Sequence, residues 1–590
     1  MKAKTFRKRG RLIAVATLVA VVSIGALVGV RSAYADDDSG FFFPFRGDVF
    51  FPGNLVISRS VYVNPNNITV GATVLPPSCS LANCPTPVTA IADGTYPFVF
   101  NNDVVDSSFA IASKIFLDQI TPFGWVLSTT EVPNSSQNGV PPTKDQIVTS
   151  FSSKSELALN LSIDGDALTF MGYLAPVGAI DISNSNTPAV FDASNPVGLN
   201  NYRVVAQVDQ HGKFHFTKTN AYSGNNGRAA VLNNSFGANL FYLSGNAGTG
   251  GNPQPDGIIV GAGAQILTPE VKAEVAQTPG EPTPVGSFNI TQLGDKLDKV
   301  GKDTNFRGLT IFNKVLYYTK GSGGNGVNTV YFVDTTGGVC NDTNGVGLPS
   351  PGAALPTSAL AYDPTLLQTK GLDPNNMCIL KGFPTALKST TSFPFGIWFA
   401  SPTVVYVADE GDGYAGGLDL DSHAASQTTA GLQKWIFDSV QGQWNRAYTL
   451  TNGLELGTPY TVAGYPTGLN LATCVVAKSQ PNPNNCPVSK SLSATYSAPD
   501  GLPWAPAADG LRNITGVVNH DGTATIYAIT STISGSGDPG ADPNKLVAIR
   551  DQLSATTLPS SENFVTLRTA HFGEVLRGVS WTPGTDTDRH

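Results

Sequence analysis

Charge of either sign is scarce in this chain of 590 residues, and so are histidine and methionine. Asp, Glu, Lys and Arg together make up 14% of it, and it has six His and three Met. The formal net charge is −8 at pH 7. Non-specific nucleic-acid binding needs clustered Lys and Arg, so an acidic chain of this kind excludes that class of partner.

Recognised catalytic motifs are absent as well. The sequence has no G-x-S-x-G, no H-E-x-x-H and no Gly/Lys loop that could cradle a phosphate. His423 ends the stretch "DSH", which by itself does not define a hydrolase triad. The sequence therefore indicates no reaction, and it favours a protein that is not an enzyme.

The chain has one long apolar run, and it lies at the N-terminus. Residues 12–30 are uncharged, follow six Lys and Arg, and precede Ala33-Tyr34-Ala35, the pattern of a cleaved export signal. We expect a signal peptide over 1–35, a secreted or extracytoplasmic protein, and a mature net charge of −15. At 19 residues the run is nearly long enough to span a bilayer, so an uncleaved anchor is the alternative. No membrane span is expected once the signal is removed.

Helical periodicity is nearly absent after the signal. The chain has instead short runs rich in Val, Ile, Tyr, Phe and Thr, which alternate with clusters of Gly, Asn and Pro. This pattern is typical of many short strands joined by turns. The sequence predicts an all-β fold.

One hairpin pattern recurs along the chain: an apolar strand, a tight turn of Gly, Asn or Asp, and a second strand with aromatic or branched residues. The six copies start at Ser155, Gly227, Phe306, Phe393, Leu511 and Leu576. The segments between the copies supply further strands. Four-stranded units repeated around an axis form a β-propeller.

The last copy, "LRGVSWTPG", stops after one strand. Three strands near the N-terminus, in 54–63, 113–121 and 124–132, lack a first strand that this copy can supply. We therefore predict a single β-propeller of six four-stranded blades over 52–583, with one blade closed by both chain termini. A seventh blade would have to lie in the insert 451–510. We expect 36–51 to be a flexible N-terminal segment and 584–590 a C-terminal tail.

A resemblance supports this architecture. The segments "PGNLVISR", "KIFLDQITPFGWVLSTTEVP", "SELALNLSIDGDALTFMGY", "PFGIWFASPTVVYVADEG", "GLQKWIFD" and "RGVSWTP" together resemble a family of secreted bacterial β-propeller proteins of uncharacterised function. The resemblance covers nearly all of the mature chain and implies the fold and no enzyme activity. The cysteine-containing loops and the insert depart from the family pattern, which puts any shared ligand preference in doubt.

Six cysteines in an exported chain are typical of disulfides. They form three local pairs, namely Cys79 with Cys84, Cys340 with Cys378, and Cys474 with Cys486. We predict this nearest-neighbour pairing. A zinc site is the rival interpretation, but a single C-x₄-C with no nearby His is weak evidence for metal.

Arginines recur at the start of the predicted inner strands. The six equivalent positions hold Glu156, Arg228, Arg307, Phe395, Arg512 and Arg577. One hypothesis is an anion-binding ring around the mouth of the central channel, where the long loops between second and third strands also collect. The favoured alternative is structural, with each Arg joining the loops of a neighbouring blade.

An acidic loop follows the fourth copy. Its carboxylates are Asp409, Glu410, Asp412, Asp419 and Asp421. Clustered carboxylates suit Ca²⁺, which takes six to eight oxygen ligands. The spacing does not match an EF-hand, and a solvated acidic loop is the favoured interpretation.

These observations predict a secreted propeller that binds a ligand or partner at its loop-rich mouth. The ligand could be a small molecule, a glycan or a protein. The alternatives are an extracellular calcium-dependent hydrolase of lactonase-like type and a structural protein of the cell surface.

Overall fold

The computed structural model describes residues 49–62, 111–141, 146–180, 198–246, 263–269, 305–321, 327–336, 345–357, 377–386, 391–414, 419–465, 505–534 and 540–586, apart from single positions, with fragments at 182–188, 286–287 and 338–339. These residues belong to one compact unit, 46–590. The proposed signal peptide, most of the flexible segment and 466–504 of the insert lie outside them.

The strands form six small sheets arranged in a ring, each running outward from an inner strand. Blade 1 contains β26 (Glu574–Trp581), β1 (Leu55–Val61), β2 (Ala112–Ile120), β3 (Val126–Glu131) and β4 (Thr149–Ser150). Blade 2 contains β5 (Asn160–Leu161), β6 (Ala167–Tyr173), β7 (Arg203–Asp209) and β8 (Phe214–Thr219). Blade 3 contains β9 (Gly227–Asn233), β10 (Leu240–Gly245), β11 (Ala264–Leu267) and β12 (Gly286–Ser287).

The other three blades follow in chain order. Blade 4 contains β13 (Phe306–Phe312), β14 (Val315–Lys320), β15 (Thr329–Val333), β16 (Val346–Gly347) and β17 (Met377–Leu380). Blade 5 contains β18 (Pro394–Ser401), β19 (Val404–Asp409), a short helix α1 (Leu420–Ser426), β20 (Gly431–Asp438) and β21 (Gln443–Leu450). Blade 6 contains β22 (Ala507–Val518), β23 (Thr523–Ile533), β24 (Lys545–Gln552) and β25 (Val565–Thr569).

The predicted all-β, six-bladed propeller is thus confirmed, and so is its closure by both chain ends. The C-terminal β26 pairs antiparallel with the N-terminal β1, with Leu55 opposite Trp581 and Ile57 opposite Val579. The inner strands of successive blades contact one another, and β26 contacts β5. This last contact completes the ring.

Burial explains the residue pattern of the strands. Second strands such as β14 and β19 are buried along their whole length, because blades pack against both of their faces. The outer strand β21 alternates instead, with Trp444, Tyr448 and Leu450 buried and Arg446 exposed. The strand contacts both neighbouring blades, through the Trp444 amide, which donates to the Lys381 carbonyl oxygen of blade 4, and through the Tyr448 hydroxyl, which donates to Asp551 of blade 6.

Glycine lets the inner strands approach closely near the axis. A Cβ on Gly308 would lie 2.4 Å from the carbonyl oxygen of Phe395, and one on Gly396 would lie 2.5 Å from that of Arg512. Any side chain there would push adjacent blades apart. Each of these glycines follows one of the predicted inner-strand positions.

The structure differs from the predicted elements in three places. The inner strand of blade 2 is only Asn160–Leu161, because Leu157 has a left-handed backbone (φ 63°) that interrupts the extended chain. Blades 1 and 4 each gain a short fifth strand. Helix α1 forms within a predicted loop, since Leu420 and Ala424, one turn apart, pack against Ala507 and Ile533.

The ring has two faces, defined here by the inner strands. The inner strands begin on the loop face, which receives the long loops, and end on the turn face, which carries the tight turns between first and second strands.

Within the described ranges, no helix has the length and apolarity required to cross a bilayer. Cys378 in β17 is described, but the other five cysteines are not, so the three disulfide pairings stay predictions.

The β1–β26 pairing should dominate stability. We expect Ile57→Pro to lower the free energy of unfolding by about 3 kcal/mol or more, because it removes a ladder hydrogen bond from a strand that is paired on both sides. The conservative Ile57→Val should cost about 1 kcal/mol. Urea denaturation measures both, and equal losses in the two variants would contradict this role of the pairing.

Candidate functional site

A cluster of buried charges lies at the loop face of the channel, centred on Glu410 just after β19. Its carboxylate accepts from Arg307 Nη2 at 3.1 Å and from Arg512 Nε at 3.4 Å. Arg307 also donates to Ser155 Oγ, which lies two blades away. The Arg307 guanidinium lies 5.7 Å from the centre of the Phe395 ring. These contacts join blades 4, 5, 6 and 2 across the channel.

Four cations surround Glu410, and Lys154 is one of them, with Arg307, Arg512 and Arg228. Burial alone would raise the pKa of Glu410, but Arg307, Lys154, Arg512 and Arg228 hold it below its ordinary value. Burial lowers the pKa of Lys154 to about 8; Glu410 opposes this shift, and the cations Arg512 and Arg307 add to it. One carboxylate therefore stabilises several cations.

Arg228 and Arg577 bind neighbouring blades through backbone carbonyls. Arg228 Nη1 donates to the carbonyl oxygen of Phe306 at 2.9 Å and to the Asn305 side chain. Arg577 Nη2 donates to the carbonyl oxygen of Gly540 at 3.0 Å and to that of Phe151. Burial, with repulsion from Arg307, lowers the pKa of Arg228 well below its ordinary value.

Glu156 occupies the equivalent place in blade 2, but it pairs with neutral groups. Its carboxylate accepts from Thr149 Oγ1 at 2.8 Å, from the Ser150 amide at 3.1 Å and from the Tyr173 hydroxyl at 2.5 Å. Burial, together with the Glu156 charge, raises the pKa of Tyr173. The structure thus brings the predicted ring residues to one end of the channel and gives each of them protein partners.

The predicted acidic loop is not uniformly solvated. Asp409 and Glu410 are buried, with exposed fractions of 0% and 4%. Asp409 accepts from the amides of Phe393 (2.9 Å) and Gly411 (3.1 Å) and from Gln433 Nε2 (3.0 Å). A solvated loop is therefore the wrong interpretation for these two residues, because the chain turns inward directly after β19.

The other three carboxylates lie further out. Asp412 Oδ2 is 2.6 Å from His423 Nε2, and the His423 ring stacks on Tyr414. Asp419 is exposed and precedes α1, while Asp421 lies in its first turn. Across the described ranges, no three His, Cys, Asp or Glu residues are grouped in a way that could hold a metal ion. Calcium binding stays a prediction.

Sequence reasoning missed Lys154 and Asp509. The Asp509 carboxylate accepts from the Gly413 amide at 3.0 Å and from Gln427 Nε2 at 2.5 Å, and burial raises its pKa to about 6. Neither residue belongs to a motif or to an equivalent repeat position. Only the curvature of the ring brings them beside the acidic loop.

A large cavity opens at the opposite end of the channel, on the turn face. Its volume is about 1670 Å³, and all six inner strands or the turns after them line it. Five aliphatic side chains in its lining form what we call the aliphatic layer. They lie two to four residues further along the inner strands than the equivalent positions predicted from the sequence, one of which holds Phe395: Leu159, Val231, Ile311, Ile397 and Ile514. The charged-cluster residues Arg307, Glu410 and Arg512 are not among the residues that line the cavity.

Two indoles from neighbouring blades meet on β22 in the cavity wall. A Cβ on Gly516 would lie 2.8 Å from the Trp398 ring, and Trp581 Nε1 donates to the Gly516 carbonyl oxygen at 2.9 Å. Trp398 remains partly exposed. Polar side chains, including Asn160, Asn233 and the Asp521–Arg550 ion pair, complete the lining.

No protein-family model matches this chain, and no curated protein matches it. Solved structures that match include a Bacteroides uniformis protein described as a candidate 6-phosphogluconolactonase (8% identity, TM-score 0.31, 88% of this chain and 83% of that chain). Others are Drosophila Semaphorin 1a extracellular domains 1–2 (10%, 0.25, 75% and 83%) and NanB with Optactamide (9%, 0.20, 91% and 79%). Matches this weak identify neither a family nor a function.

Glu410 should be a major source of stability. We expect Glu410→Gln to lower the free energy of unfolding by about 3–5 kcal/mol, because Arg307 and Arg512 would stay buried without their counter-charge. Asp521→Asn breaks an exposed ion pair and should change stability little. Guanidinium denaturation compares the two, and an unchanged Glu410→Gln variant would contradict the role assigned to Glu410.

Asp409 should make stability depend on pH. Burial raises its pKa from 3.8 to about 7, so in this range the folded protein holds a proton that the unfolded chain releases. Its stabilising contribution is therefore present at low pH and lost as the pH rises through about 7. Between about pH 5 and 6.5, the free energy of unfolding of the parent should therefore fall with pH more steeply than that of Asp409→Asn, by roughly 1.4 kcal/mol per pH unit.

The control for this pH dependence is Asp521→Asn. The pKa of the exposed Asp521 lies below its ordinary value, mainly through its hydrogen bond with Thr523, so that group does not titrate in this range. Denaturant titrations at several pH values measure the slopes. Parallel slopes for the parent and Asp409→Asn would show that Asp409 is ionised throughout.

Proposed function

We propose that this propeller is a binding protein that takes a small, largely apolar ligand into the cavity on the turn face. The observation that carries the proposal is the cavity itself, about 1670 Å³ in volume and surrounded by all six blades. Ligand sites of about 300–1,000 Å³ are usual for drug-sized molecules. The cavity is large enough for such a ligand together with water.

The lining favours an uncharged ligand. Binding pockets combine apolar walls with a few oriented polar groups, and here the aliphatic layer and Trp398 supply the walls while the exposed Asn239 and Asn313 supply amides. The buried cations lie beyond the aliphatic layer and are bound to protein groups. In the cavity lining itself, the cations Lys314 and Arg550 are balanced by Asp521 and Asp586, which favours neither an anion nor a cation.

The loop-rich mouth remains a second place for a ligand or partner. Most of the long loops predicted to form it lie outside the described residues, so the turn-face cavity carries the proposal. A lactonase-like hydrolase would need carboxylates that converge on a metal at the channel top. Glu410, the carboxylate at the centre of that end, instead pairs with Arg307 and Arg512.

Export is part of the same proposal. Its support is the N-terminal sequence, in which cationic residues, an apolar run and Ala33-Tyr34-Ala35 follow in the order of a signal peptide. Membership of the secreted bacterial β-propeller family is likewise proposed, on the order of the quoted motifs. Both fit a binding protein that acts outside the cytoplasm.

The cavity can be tested with the neutral dye Nile red. Thr515 is a half-buried cavity residue of β22, and Thr515→Trp should fill part of the space and weaken dye binding at least tenfold. Thr403→Trp adds the same side chain on the exposed β18–β19 turn and should leave binding unchanged. Fluorescence titration gives the dissociation constants, and melting curves check the fold of both variants.

Two results would contradict the proposal. Absence of saturable Nile red binding to the parent protein would remove the apolar site. Equal binding by the parent and a folded Thr515→Trp variant would place the dye somewhere other than this cavity.

A further inference from the structure

Large apolar side chains are exposed at the outer turns of three blades. The β2–β3 turn of blade 1 presents Phe123 and Trp125, which are 81% and 75% exposed. The β20–β21 turn of blade 5 presents Val440, which is 94% exposed, and the β24–β25 loop of blade 6 presents Leu558, which is 48% exposed. Exposed apolar side chains in such positions mark a surface that meets another apolar phase.

These turns all lie on the turn face. The strands of each blade alternate in direction, so the turn between the third and fourth strands is on the same face as the turn between the first and second. Blades 5, 6 and 1 are consecutive in the ring. The exposed tips therefore form one arc around the side of the cavity opening.

Hydrogen bonds hold the tips in place. In blade 1, the Thr121 amide donates to the Trp125 carbonyl oxygen at 2.8 Å, and the Trp125 amide donates to Thr121 Oγ1 at 3.1 Å. In blade 5, Asp438 Oδ1 accepts from the Val440 amide at 2.8 Å. The apolar side chains are thus presented by ordered turns and do not fold back onto the protein.

We propose that this arc, made of Phe123, Trp125, Val440 and Leu558, docks on the surface of a lipid bilayer. Separate apolar tips on different blades suit a fluid, extended phase, whereas a protein partner would need matching pockets at each tip. Aromatic side chains such as Trp favour the membrane interface, and shallow insertion of apolar groups anchors peripheral proteins.

The N-terminus supports a bilayer as the partner. Strand β1 begins on the turn face, because its first residue, Leu55, pairs with Trp581 at the end of the inner strand. The described chain therefore emerges at this face, beside the Phe123 turn. The apolar run 12–30, which is either an export signal or an anchor, is separated from residue 49 by 18 residues. The first described residues therefore lie on the same face as the exposed tips, and the apolar run precedes them in the sequence.

Vesicle flotation tests the proposal with the chain from residue 36 onward, which is the predicted mature form and keeps every described strand. It should float with phosphatidylcholine vesicles, and the double variant Phe123→Ser/Trp125→Ser should bind at least tenfold more weakly, since each lost side chain removes apolar burial. The control Ser136→Ala/Asn138→Ala changes a loop on the opposite face and should bind like the parent. Vesicles with added anionic lipid should bind no better, because the mature chain is acidic.

Three outcomes would overturn the bilayer assignment. They are absence of flotation by the parent, equal flotation by the folded double variant, and binding that requires anionic lipid. Light scattering tests the alternative that a second copy of this chain covers the arc. If the parent is a dimer, the double variant is a monomer and neither floats, the arc is an interface between two copies.

Discussion

The pairing of β1 with β26 is the constraint on which the rest of the structure depends. It joins the two ends of the chain in one sheet and so brings β26 against β5, which completes the circle of inner strands. The charged cluster, the aliphatic layer and the cavity all consist of residues contributed by several inner strands. An open ring would not gather these sets around one channel, because each set draws on residues from several blades.

The charged cluster and the cavity lie at opposite ends of the channel, only a few residues apart along each inner strand. At the loop face, buried cations need a buried carboxylate, since removing charges from water is costly unless they are paired. Glu410 meets this need from the end of β19 and joins its own blade to the two blades beside it, through Arg307 and Arg512. Beyond the aliphatic layer no such pairing is required, and the channel widens into a cavity. A buried charged cluster and an open cavity of mixed lining therefore lie at opposite ends of the same six strands.

The turn face carries both proposed binding features. Its centre is the cavity, and one arc of its rim presents Phe123, Trp125 and Val440 to the surroundings. A propeller docked through this arc would have the cavity opening near the lipid surface. An apolar ligand could then pass between bilayer and cavity with little exposure to water, which is the physical link between the two proposals.

The amino-acid sequence by itself determined the all-β class and the closure by both termini, and it favoured six blades over seven, because strand alternation, turn residues and the truncated last repeat are local patterns. It also placed the six inner-strand positions, from Glu156 to Arg577, at equivalent points. Only the tertiary structure decided that Glu410 pairs with Arg307 and Arg512, that Lys154 and Asp509 join them, and that the cavity opens on the turn face. Those contacts depend on how the twisted sheets curve around the axis, and they join residues up to 358 positions apart, as Lys154 and Arg512 are, a distance over which no local pattern carries information.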